Sequence, residues 1–90
     1  MKGMFAVVRD KDLVAIFNSI HRVLKAEKLL KEAGAEFLLI PVPRQLSSDC
    51  GLALRIAPEH RRDVFAVLAA NDLEPAELYR KEGDVFQPSI

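Results

Sequence analysis

The chain has 90 residues, a hydrophobic fraction of 50%, Lys+Arg 13 against Asp+Glu 13, and a single cysteine. That length supplies one domain and one core, with no room for a cleft between two lobes, and a lone cysteine excludes an intramolecular disulfide, which points to a reducing, cytoplasmic setting. Zero net charge argues against a nucleic-acid binder, which needs a basic excess to neutralise phosphates, and no run reaches the roughly 18 apolar residues of a membrane span. The expectation is a single domain over 1–90, with a core of about 13–80 and extensions at 1–10 and 81–90 to which the pattern assigns no role.

In chain order, residues 4–8 form a short apolar run, Arg9-Asp10-Lys11-Asp12 a polar break, and residues 13–17 an apolar run of strand length. Asn18 and Ser19 are helix-capping types, and Val23, Ala26, Leu30 and Ala33 recur at spacings of three and four, which predicts a helix from Ile20 with Lys25, Lys28 and Glu32 on its other side. Gly34 suits the left-handed position that ends a helix, residues 37–40 read as a second strand, and Pro41 and Pro43 stop it. After a polar loop, residues 52–56 read as a third strand and Pro58 as the opening of a second helix, which carries Val64, Phe65, Leu68 and Ala69 on one face and ends near Asn71 and Asp72. Residues 74–80 supply the last strand.

This order is β-α-β-β-α-β, the pattern of an α+β, ferredoxin-like two-layer sandwich with two helices on one face of an antiparallel sheet. Prolines occur in or beside the second and fourth strands only (Pro41, Pro43, Pro75), which are the edges of that fold. In the first strand Leu13, Ala15 and Phe17 alternate with Val14 and Ile16, so both faces are apolar although helices cover one. A second copy packed sheet to sheet is the preferred cover; the run 4–8 or the tail 81–90 folding over is the other.

Chemistry centres on Cys50, in the loop Pro41-Val42-Pro43-Arg44-Gln45-Leu46-Ser47-Ser48-Asp49-Cys50-Gly51. The third strand runs antiparallel beside the first, so its start lies next to the end of the first, where the first helix begins. Unpaired N–H groups and the positive end of the helix dipole stabilise a thiolate and lower its pKa below the free value of about 8.5. His21, in the first helical turn, adds charge or shuttles a proton. Gly51 lets a reactant approach the sulfur, while Ser47, Ser48, Ser19 and Arg44 are candidate supports for a bound anion; Arg55, on the opposite face by alternation, stays outside the site. One cysteine with His21 and His60 makes no metal-ligand set, and no phosphate-loop or dinucleotide pattern is present, so no cofactor is expected. The competing reading is plain: a lone cysteine is most often a small buried hydrophobe, and the loop then serves a non-catalytic module that binds an anion or small metabolite.

The segment Leu24-Lys25-Ala26-Glu27-Lys28-Leu29-Leu30-Lys31-Glu32-Ala33-Gly34, then Ile40-Pro41-Val42-Pro43-Arg44 and Ser47-Ser48-Asp49-Cys50-Gly51-Leu52, resembles the small bacterial proteins of the DUF3343 family, described as selenium/sulfur carriers. The likeness covers about residues 13–79. It implies that Cys50 carries sulfur or selenium as a persulfide or selenopersulfide, received from a donor such as a cysteine desulfurase and handed to an acceptor enzyme, which makes the chain a shuttle more than an enzyme.

Overall fold

The elements follow one another as β1 (Leu13–Ile16), α1 (Ile20–Glu32), β2 (Leu38–Pro41), β3 (Leu52–Ile56), α2 (Arg61–Ala70), β4 (Glu77–Glu82) and β5 (Val85–Pro88), in a computed structural model that describes residues 8–46 and 51–89. The strands form one antiparallel sheet in the order β2-β3-β1-β4-β5. Both helices lie on the same face: Val23, Ala26 and Leu30 of α1 and Val64 and Leu68 of α2 pack on Leu13, Ala15, Leu54, Ile56 and Leu78. The ferredoxin-like β-α-β-β-α-β arrangement is therefore present, with one strand added. No helix among the described residues is long and apolar enough to cross a membrane.

Each helix ends where its sequence directs. Ser19 is the cap of α1, its hydroxyl accepting from the N–H of Arg22 at 3.2 Å. Gly34, at φ +74°, closes α1: its own N–H bonds to the carbonyl of Lys31, and the N–H of Ala35 reaches back to that of Leu30. Asp72 plays the same part after α2 at φ +57°, with the N–H of Leu73 on the carbonyl of Leu68 at 2.9 Å and both side chains buried in the core. The helical faces are narrower than periodicity suggests. Ala33 is the exposed C-cap of α1, and on α2 Phe65 is half-buried and Ala69 exposed. Pro58 opens a single 3₁₀ turn, Pro58–His60, before α2 proper.

The largest departures concern the chain's end. The last predicted strand begins three residues later than expected, at Glu77, and runs on through Glu82 into a hairpin with β5. Gly83, at φ +61°, is the first of the two residues linking Glu82 to Val85, the place where the hairpin turn with one left-handed position demands glycine. Consequently β4 is interior and β5, with Pro88, is the edge, which corrects the assignment of β4 as an edge strand. On both edges a proline nitrogen points away from the sheet. The N–H of Val42 bonds to the Gly51 carbonyl and that of Ser89 to the Leu78 carbonyl, so by alternation Pro41 and Pro88 face outward, where no ladder donor is needed.

The centre of the sheet's helix-free face is buried by the chain itself. Val14 and Ile16 are 0% and 4% exposed, packed with Ile40 and Ala53 under Val8, Val42, Leu46, Tyr79 and Phe86. The approach to β1 (Val8), the loop after β2 (Val42, Leu46) and Phe86 of the tail thus pack on the apolar underside of β1. At the rim of this face the carboxylate of Asp12, 2% exposed, accepts from the Arg9 N–H at 2.8 Å and from Arg55 Nε at 2.7 Å.

Candidate functional site

The register of the sheet sets the geometry of the loop between β2 and β3. Ile16, the last residue of β1, faces Ala53 of β3, so the start of β3, just after Gly51, lies at the end of β1 that leads through Asn18 to the Ser19 cap of α1. Gly51 has φ +77°, a conformation that costs a residue with a Cβ about 1–2 kcal/mol, and its carbonyl accepts from the N–H of Val42 at 3.1 Å. That bond clips together the two ends of the loop. Within it the N–H of Leu46 turns back to the Pro43 carbonyl at 3.0 Å.

The start of α1 is electrostatically open. An α-helix leaves its first N–H groups without intrahelical partners; here Ser19 takes those of Arg22, through its hydroxyl, and Val23, through its carbonyl, and those of Ile20 and His21 have no partner among the described residues. No acidic side chain occupies the first turn to neutralise the positive end of the dipole. His21 is exposed there. Arg22 is drawn elsewhere, its Nη2 donating to the carbonyl of Asp72 at 3.1 Å. Such a terminus favours a negative charge placed against it.

The structure brings Gly51, Ser19 and His21 to the same end of the β3-β1 pair. Ser19 is half-buried with its hydroxyl oxygen committed to the cap, so it supports an anion only through its remaining O–H. Arg44 lies exposed on the loop, without an ion pair among the described residues. Cys50, Ser47 and Ser48 lie outside the described residues. Arg55 projects on the helix-free face and is engaged by Asp12.

One feature goes beyond the sequence reading. Beside β2, on the helix-free side, a groove of about 1100 Å³ is lined by Leu38, Ile40, Val42, Pro43, Arg44 and Phe86, among others. Leu38 remains 41% exposed. Its apolar character on an outer strand was visible in the sequence, but the opposite wall comes from β5, which was not.

A family model described as "Putative Se/S carrier protein-like" matches residues 12–80. A relative from Aquifex aeolicus (strain VF5) named "Putative sulfur carrier protein" is 30% identical over 73 aligned positions, and the match covers 79% of this chain. The chain spans 37% of that relative's length. No solved structure matches the chain significantly. The match takes in both helices, the loop between β2 and β3 and most of the sheet, and on that extent the chain belongs to the Se/S carrier protein-like family.

Proposed function

We propose that the protein is a cytoplasmic carrier of sulfur or selenium, with Cys50 as the atom of attachment. The observation that carries this reading is the antiparallel pairing of β1 with β3, which puts the start of β3, and with it Gly51, the residue after Cys50, at the same end of the sheet as the N-terminus of α1, whose first turn holds no acidic side chain. A thiol held near such a terminus ionises more readily, and the thiolate is the nucleophile. His21 is proposed to stabilise that thiolate or move its proton; Ser19, Arg44, Ser47, Ser48 and the Gly51 backbone support the anion. Family membership and the relative's name agree in kind.

The proposed step is an exchange at sulfur. The Cys50 thiolate attacks the terminal sulfur of a donor persulfide, of the type a cysteine desulfurase carries; the donor's S–S bond breaks and its thiolate leaves with the electron pair. Cys50 then holds the persulfide. An acceptor thiolate attacks the same terminal atom and Cys50 departs as thiolate, so no external oxidant or reductant is needed. A terminal selenium follows the same path as a selenopersulfide. A lone cysteine suits the task, because no second thiol of the chain can discharge the cargo by forming a disulfide.

The test is incubation with a desulfurase and its substrate, followed by intact mass and by thiol alkylation as a function of pH, with Cys50→Ser as control. The expected result is one added chalcogen on the wild type, none on Cys50→Ser, and an alkylation midpoint below the free-thiol value of about 8.5. An ordinary midpoint with no added mass favours instead a module that binds an anion and in which Cys50 is incidental.

A further inference from the structure

We infer that the groove beside β2 is the docking site for the donor protein, taking an extended apolar segment of that protein that bears a carboxylate; the inference rests on the carrier reading above. Three observations converge on it. The groove is walled by apolar side chains, with Leu38 and Phe86 on its two sides, and Leu38 is 41% exposed. Its cations are Arg44 and Lys81, and no carboxylate lies among the described residues that line it, although the chain as a whole is neutral. Charge complementarity therefore selects an acidic partner.

The third observation selects an extended polypeptide. With Val42 bonded to Gly51, the alternation of the antiparallel ladder turns the backbone groups of Ile40 and Leu38 toward β3 and those of Leu39 outward, where its N–H and C=O have no partner among the described residues and can pair with an added strand. Pro41 lacks an N–H, which keeps such pairing short and therefore reversible, as a shuttle that must leave its donor requires. The groove shares Val42, Pro43 and Arg44 with the loop that leads to Cys50, so a segment seated there brings the donor's persulfide toward that loop.

The experiment compares loading of Cys50 from a cysteine desulfurase with loading from glutathione persulfide, in wild type, Leu38→Asp and Lys81→Glu, each checked by thermal melt. Expected is a loss of about 10-fold in the desulfurase rate for each variant, a wild-type desulfurase rate that falls with ionic strength, and glutathione-persulfide rates within about twofold of one another. Equal rates from the desulfurase in all three proteins, or equal slowing with both donors, would overturn the inference while leaving the carrier reading intact. Failure of both donors to load wild type would remove the carrier reading and this inference together. Two other occupants are excluded or exposed in the same series. A dimer of the free chain that Leu38→Asp dissociates would give the groove to a second copy, and amide protection of β2 that vanishes on removing residues 1–7 would give it to the chain's own N-terminal segment.

Discussion

Replacing Gly51 by alanine isolates the backbone geometry that leads into Cys50. At φ +77° an added Cβ finds no heavy atom within 4 Å, so the substitution carries no clash and its cost is the left-handed conformation alone, about 1–2 kcal/mol. In a domain of this size each kcal/mol corresponds to roughly 4–8 °C in Tm. Gly34→Ala is the matched control: φ is +74°, the space is equally open, but the residue ends α1, away from the loop. Both variants should melt lower by similar amounts, and asparagine, which tolerates the left-handed region, should recover part of the loss at each position. Only Gly51→Ala should also raise the pH midpoint of Cys50 alkylation toward the free-thiol value, because only there is the loop's clip to Val42 strained. An unchanged Tm for Gly51→Ala, or asparagine as costly as alanine, would refute the conformational account; a thiol midpoint shifted equally by Gly34→Ala would refute the link to the site.

Asp12→Asn should destabilise the protein by about 2–3 kcal/mol in urea unfolding, since it leaves the half-buried Arg55 guanidinium without its charged partner at a site only 2% exposed. Asp72→Gly should raise Tm by a few degrees, gaining roughly 0.5–1 kcal/mol by relieving φ +57° and removing a negative charge from the C-terminal end of α2. Hydrogen bonds from Lys11 and then Arg80 hold the Glu82 carboxyl below its ordinary range. Its stabilising effect is therefore present above the unfolded glutamate range and lost as pH falls through the lowered value, so acid unfolding curves of wild type and Glu82→Gln should converge at low pH and separate above it. Curves that stay parallel across that window would contradict the assignment.

The parts of the fold that were legible are those decided by neighbours in the chain. Ser19 caps α1, Gly34 and Asp72 end the helices, and the apolar runs of β1 and β3 lie where their composition puts them, because capping, left-handed turns and strand-length runs are local effects. The β4-β5 hairpin was hidden for a physical reason. Lys81 and Glu82 fall in the tail 81–90, to which the pattern assigns no element, yet they pair with Phe86 and Val85, and the turn is further held by Gly83 donating to the Asp10 carboxylate, a contact 73 residues apart in sequence. The same hairpin brings Phe86 onto the helix-free face, where the sequence pattern left a second copy, the run 4–8 and the tail 81–90 as alternative covers. For the site, strand order alone sufficed to bring the start of β3 to the start of α1; the groove did not follow, because its walls come from β2 and β5, at opposite edges of the sheet.

The most direct test of the carrier account is the intact mass of the protein after exposure to a working cysteine desulfurase, read beside Cys50→Ser. The account predicts a gain of one sulfur atom on the wild type that dithiothreitol removes and that the serine variant never acquires. A wild-type mass that stays unchanged while the desulfurase turns over, or an equal gain on Cys50→Ser, would contradict it.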